Sequence, residues 1–168
     1  MKKKYIIITG GAGFVGSNLI KYIIKKTKFN IISIDNYSTG KIKNHILDKK
    51  IKYINDDTKN ISKILKTYKS KINSIFHFGE FARIYQSFVK MSECINSNSI
   101  GTNAVFNYCL KNKIKLIYSA TSASIIINLL CMIPITSGLS KTGILSFKLP
   151  NAIVVVDSQV MYLTLTPL

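Results

Sequence analysis

The residues whose types and spacing can do chemistry begin at a cluster of glycines. Thr9-Gly10-Gly11-Ala12-Gly13-Phe14-Val15-Gly16 follows a run of β-branched residues and opens a segment of helical periodicity. That is the context a dinucleotide-binding turn requires. Gly10, Gly13 and Gly16 let the chain turn tightly and bring its backbone close to a pyrophosphate, where a Cβ would intrude. A helix starting at Phe14 and Val15 offers unpaired N–H groups and partial positive charge to that anion. Asp35 closes the next β-branched run, about 20 residues beyond the turn, where it can accept hydrogen bonds from ribose hydroxyls. No arginine stands in the segment directly after Asp35. A 2′-phosphate would meet a carboxylate and no guanidinium fork, so NAD is the expected cofactor rather than NADP.

Positioning these residues requires strands and helices in alternation. Residues 4–9 (KYIIIT) form a continuous apolar run, as expected of a strand covered on both faces. Further strands are expected at 30–34 (NIISI), 52–54, 74–78 (SIFHF) and 114–118 (IKLIY). Helical spacing marks Phe14–Lys26, through Val15, Leu19, Tyr22 and Ile23. It also marks a segment through Ile61, Ile64, Leu65 and Tyr68, and a long helix over 97–111 using Ile100, Ala104, Val105, Tyr108 and Cys109. Such alternation predicts an α/β fold: a doubly wound parallel sheet with right-handed crossovers and helices on both faces.

Composition narrows the function classes. The 168 residues make about one domain, and an apolar share of 47% is enough to bury a core. The net charge of +17 rests almost wholly on lysine, with Arg83 the single arginine. Readers of nucleic-acid bases lean on arginine forks. Here the lysines are dispersed among isoleucines and asparagines, so they read as a solvated surface and no nucleic-acid partner is expected. Cys94, Cys109 and Cys131 form neither a disulfide framework nor a metal knuckle, and His45 and His77 are far apart. No metal is expected, and the cysteines fit a reducing, cytoplasmic setting. No run reaches the roughly 18 apolar residues of a membrane span. The apolar stretch near the start breaks into glycines with no cleavage site, which argues against a secretory signal.

Taken in order along the chain, the motifs resemble those of the extended short-chain dehydrogenase/reductases, and within them the NAD-dependent nucleotide-sugar epimerases and dehydratases. Thr9–Gly16 is similar to that family's TGGxGxxG, and Asp35-Asn36-Tyr37-Ser38-Thr39-Gly40 to its D-N-x-S-T-G. Asn55-Asp56-Asp57 resembles the pair whose aspartate contacts adenine, which implies that role for Asp57. Ile75-Phe76-His77-Phe78-Gly79-Glu80-Phe81-Ala82 stands where the family has V-F-H-L-A-A-x-A, so Phe78 and Gly79 would lie beside the nicotinamide ribose. Asn98-Ser99-Ile100-Gly101-Thr102 resembles N-x-x-G-T, implying a place near the active site for Asn98. Ile117-Tyr118-Ser119-Ala120-Thr121-Ser122 resembles the strand that ends in the catalytic hydroxyl, implying that Thr121 donates to the sugar oxygen being oxidised. The resemblance covers about residues 4–124. It implies a Rossmann fold, NAD as cofactor, a nucleotide sugar as substrate, and a homodimer formed through helices that include 97–111.

Several features depart from the pattern. Gly79-Glu80 replaces Ala-Ala. Glu80 and Arg83 suggest a mutual ion pair, His77 reads as a core histidine, and Cys94 and Cys109 as small buried residues. The family's Tyr-x-x-x-Lys, which supplies the general base, has no counterpart: after Tyr118 the one tyrosine is Tyr162, with Thr166 four residues on. Ser137-Gly138-Leu139-Ser140-Lys141 offers a lysine with serine in the tyrosine's place, and a serine hydroxyl has too high a pKa for that work. Beyond Ser124 only Lys141, Lys148 and Asp157 carry charge, while all three prolines lie there. The expected organisation is therefore an NAD-binding domain over 1–124, a sheet incomplete at its carboxy-terminal end, and an atypical tail over 125–168 from truncation or a frameshift. A chain so built would be inactive alone. The competing reading is a non-catalytic NAD-binding module whose apolar tail docks on a partner.

Overall fold

The structure, a computed structural model, describes residues 4–120 and four strand segments at 137–139, 145–149, 152–156 and 161–164. Five parallel strands are built from the β-branched runs: β1 (Tyr5–Thr9), β2 (Asn30–Asp35), β3 (Ile51–Asn55), β4 (Ile72–His77) and β5 (Lys115–Ala120). They lie in the order β3-β2-β1-β4-β5. β1 is therefore central, with Ile7 opposite Ile32 on one side and Ile75 on the other. The chain winds outward from β1 to β3 and then crosses to begin again at β4, which leaves a crevice at the carboxyl ends of β1 and β4. This is the doubly wound Rossmann sheet that the alternation predicts. β6 (Ser137–Leu139), β7 (Leu145–Leu149), β8 (Ala152–Val156) and β9 (Met161–Thr164) run antiparallel in turn, and β9 pairs antiparallel with β5.

The pleat of β1 divides the core into two. Ile6 and Ile8 pack with Ile20, Ile23 and Ile31 on the face covered by α1 (Phe14–Lys26). Ile7 packs with Ile32, Ile34, Ile61, Leu65, Ile75, Val105 and Cys109 on the other, under α2 (Ile61–Ile64) and α5 (Thr102–Asn112). Isoleucine is the dominant residue on both faces, because a strand buried on two sides favours β-branched shapes throughout. Burying each such side chain stabilises the fold by about 1.5–3 kcal/mol relative to leaving it exposed.

Three helical expectations need correction. The buried face of α1 is Gly16, Ser17, Ile20 and Ile23, whereas Val15 and Tyr22 are exposed. The glycine turn fixes this rotation by seating Gly16 on the carbonyl of Gly10. The segment through Ile61 to Tyr68 is a single α-turn, α2, entered through a 3-10 turn at Thr58–Asn60. The long helix over 97–111 is two pieces, a π-helical stretch over Asn96–Gly101 and α5, preceded by the short α3 (Ile84–Val89) and α4 (Met91–Ile95). The wide turns rotate the apolar stripe, so Ile100 is half-exposed while Gly101 and Thr102 are buried.

Candidate functional site

The crevice at the strand ends is an open cleft of about 440 Å³, counting space continuous with solvent. It gathers residues from four strand-to-helix connections: Gly10 and Gly13 after β1, Asp35 to Gly40 after β2, Asp56 to Thr58 after β3, and Phe78 to Glu80 after β4. Of the sequence-predicted residues, it unites Gly10, Gly13, Asp35, Asn36, Ser38, Thr39, Gly40, Asp57, Phe78 and Gly79. Gly16 is buried behind the turn, and the Phe14 and Val15 side chains point to solvent. Thr121 lies outside the described residues.

Each glycine of the turn is required for its own reason. Gly10 adopts φ +70, and a Cβ there would stand 2.5 Å from the Phe78 carbonyl oxygen. A Cβ on Gly16 would overlap the Gly10 carbonyl and force α1 off β1. Gly13 is different. Its backbone is extended, and a Cβ would meet only the Gly10 carbonyl oxygen, at 3.2 Å. Since Gly13 lines the cleft, an added side chain would occupy the space a pyrophosphate needs. No side chain caps the first turn of α1 and no acidic residue sits in it, so its N–H groups remain available to an anion.

Asp35 is held before any ligand arrives. Its Oδ2 accepts from the Ala12 N–H at 2.8 Å and its Oδ1 from the Tyr37 N–H at 2.8 Å. Each oxygen retains acceptor capacity for a hydroxyl. The loop after β2 is fixed to the glycine turn as well, because the Lys41 N–H and the Asn44 side-chain amide both donate to the Ala12 carbonyl. Asn36 accepts from the Ser38 N–H at 3.0 Å, which shapes the segment over Ser38, Thr39 and Gly40. Asp56 and Asp57 divide their work. The Asp56 carboxylate accepts from Asn60 and from the Asp57 N–H, and these bonds hold its pKa below the usual value. Asp57 lines the cleft, and its carboxylate has no hydrogen bond among the described residues.

On the far side of the turn a chain of hydrogen bonds has a fixed direction. The Thr9 hydroxyl accepts from the N–H groups of Phe78 and Gly79, at 3.2 and 3.1 Å. With both lone pairs engaged it donates to His77 Nδ1, 2.6 Å away. His77 is fully buried, and desolvation pushes its pKa down to about 3, so the imidazole is neutral with its proton on Nε2. Nε2 donates to the Thr102 hydroxyl at 3.0 Å, which donates to Glu80 Oε1 at 2.9 Å. The Tyr118 hydroxyl also donates to Oε1, at 2.6 Å. Burial pushes the Glu80 pKa up while the Tyr118 and Thr102 hydroxyls pull it down, and burial and Glu80 together raise that of Tyr118.

Two expectations change here. Glu80 turns inward to Tyr118 and Thr102 and not to Arg83; among the described residues the ion pair is Lys90–Glu93. Cys94 is only half-buried, with its sulfur accepting from Asn98, because it lies on the short exposed α4; Cys109 is fully buried as expected. Asn98 stands behind the cleft, donating to the Phe81 carbonyl and accepting from the Phe81 N–H at 2.6 Å. Sequence reasoning did not place Glu80 among the cofactor-binding residues, nor Asp56, Thr58 and Ser97, yet all four line the cleft. The signal for Glu80 was present as a carboxylate where the family pattern has alanine. No group of histidine, cysteine and carboxylate side chains suited to a metal occurs among the described residues. Nor is any described helix long and apolar enough to cross a membrane.

Comparison with known proteins agrees with this fold. The model of the NAD dependent epimerase/dehydratase family matches residues 6–127. UDP-N-acetyl-alpha-D-glucosaminuronate decarboxylase of Bacillus cytotoxicus is 31% identical over 129 residues, which is 71% of this chain and 37% of the relative. Among solved structures, the UDP-N-acetylglucosamine 4-epimerase of Methanobrevibacter ruminantium M1, in complex with UDP-N-acetylmuramic acid, is 30% identical with a TM-score of 0.62, covering 73% of this chain and 39% of that one. WbmG of Bordetella bronchiseptica, in complex with NAD, matches in fold at 24% identity and a TM-score of 0.59, over 70% and 37%. The chain thus spans less than two-fifths of the length of these relatives.

Proposed function

The chain belongs to the NAD dependent epimerase/dehydratase family, and from that premise we propose that it forms the NAD-binding part of an enzyme that oxidises a hydroxyl of a nucleotide sugar. The observation that carries this reading is the union, in one cleft, of an uncapped helix N-terminus, a glycine with room for an anion, and two carboxylates with free acceptor capacity. The residues present fit the cofactor. Gly10, Gly13 and the first-turn N–H groups of α1 would hold the pyrophosphate, Asp35 the adenosine ribose, Asp57 the adenine, and Phe78 and Gly79 the second ribose. NAD, when bound, supplies the hydride acceptor. This chain's residues bind and orient it, and Thr121 would donate a hydrogen bond to the reacting sugar oxygen.

The proton of that hydroxyl has no visible acceptor, since no Tyr-x-x-x-Lys follows Tyr118 in the sequence. General-base catalysis is worth about 10²–10⁴-fold, so the 168-residue chain alone is expected to show no turnover of UDP-, GDP- or dTDP-sugars. The compositional break near Ser124 supports a frameshifted tail after an NAD-binding domain over 1–124. Translating the other two frames of the coding DNA and finding a Tyr-x-x-x-Lys soon after codon 124 is the expected result; finding none contradicts it. The few cysteines support work in the cytoplasm.

Gly13→Val tests the cleft itself. The change leaves the backbone conformation allowed and places its methyls in the anion's space. NAD affinity by calorimetry should fall more than about tenfold, which is 1.4 kcal/mol, with the melting temperature almost unmoved. Unchanged affinity would show that NAD does not lie on this turn.

A further inference from the structure

One carboxylate of the cleft has no part in the turn or in ribose binding. Glu80 lines the cleft beside Gly79, on the opposite side of the glycine turn from Asp35 and Asp57. Its Oε1 takes both the Tyr118 and Thr102 hydroxyls, while Oε2 has no partner among the described residues. The polarity of the chain from Thr9 through His77 makes Thr102 a donor, so two hydroxyls converge on a single oxygen. The Tyr118 hydroxyl makes the shorter of the two contacts, 2.6 Å against 2.9 Å from Thr102, and both donate to the carboxylate. No cation forms an ion pair with it among the described residues.

A dinucleotide with its adenosine ribose on Asp35 and its pyrophosphate on the glycine turn carries its second nucleotide over the ends of β4 and β5. Glu80 follows β4, and Tyr118 lies in β5. The nicotinamide ring is a cation when oxidised and neutral when reduced, and the two forms are otherwise nearly alike in shape. A fixed carboxylate there therefore acts on one form only, and more strongly in a partly dry cleft than in water. We propose that Glu80, clamped by Tyr118 and Thr102, is a specificity-determining residue that makes this cleft prefer the oxidised cofactor by supplying a counter-charge to the cationic ring. The inference rests on the reading that the cleft takes NAD. In the reaction, the same charge resists reduction of the cofactor and favours return of the hydride.

The test titrates the 168-residue chain with the oxidised and reduced cofactor by calorimetry at pH 7.5. The wild type should bind the oxidised form about tenfold more tightly. Glu80→Gln, which can still accept both hydroxyls, should weaken the oxidised form about tenfold and change the reduced form less than twofold. Tyr118→Phe removes a clamp but keeps the charge, so the preference should persist. Equal affinity of the wild type for the two forms overturns the proposal without any variant. Equal weakening of both forms by Glu80→Gln overturns it too, by reducing Glu80 to a structural role. Binding of neither form would instead remove the NAD reading beneath it.

Discussion

At the end of β4, two threonine hydroxyls fix the state of His77. The neutral imidazole bridges Thr9 and Thr102 within the fold, whereas an unfolded histidine titrates near about 6.5. Burial lowers the folded value to about 3, so between these limits the unfolded chain binds a proton that the folded chain does not. Stability contributed by His77 is therefore present above pH 6.5 and is lost on acidification, by about 1.4 kcal/mol between pH 7.5 and 5.5. Glu80 acts with the opposite sign, its raised pKa adding stability as pH falls. Urea denaturation at the two pH values should show the wild type losing about 1.4 kcal/mol more than His77→Gln; equal losses would mean that His77 is protonated in the fold. Gly10→Ala combines a left-handed backbone with a contact against the Phe78 carbonyl. It should cost about 2–4 kcal/mol in the same assay, and a cost near zero would show that the turn relaxes freely. The glycines and Asp35 were legible in the sequence because their motif is local. The environment of Glu80 was not, because Thr102 and Tyr118 are 22 and 38 residues away.

Among the elements, strands were read more reliably than helices, for a physical reason. A strand buried on both faces announces itself as an unbroken β-branched run, so β1, β2, β4 and β5 fall close to their expected limits. A helix face depends on rotation, and rotation is set by contacts elsewhere. The glycine turn rotates α1, and the π-helical stretch rotates α5. That stretch also presents Asn98 to both backbone groups of Phe81 and so anchors the loop carrying Gly79 and Glu80. Asn98→Ala leaves a backbone N–H and C=O without their partner, which should cost about 1–3 kcal/mol. It should also loosen the loop and weaken NAD binding severalfold in a calorimetric titration. A variant with wild-type stability and wild-type affinity would show that the loop is held by other contacts.

For the molecule as a whole, the strand order β3-β2-β1-β4-β5 explains why residues scattered from Gly10 to Glu80 form one cleft. A parallel sheet wound both ways from its centre places every relevant loop at the same edge. The alternation of strands and helices made this architecture legible, and the +17 charge played no part in it. On the reading proposed above, the cleft takes NAD through the glycine turn and Asp35 and prefers it over NADP, because a 2′-phosphate set against Asp35 costs Coulomb energy in a partly dry site. The most direct test is calorimetric titration of the 168-residue chain with NAD and with NADP under the same salt. NAD should bind at least about tenfold more tightly. Equal or tighter binding of NADP, or no binding of either, would contradict the account.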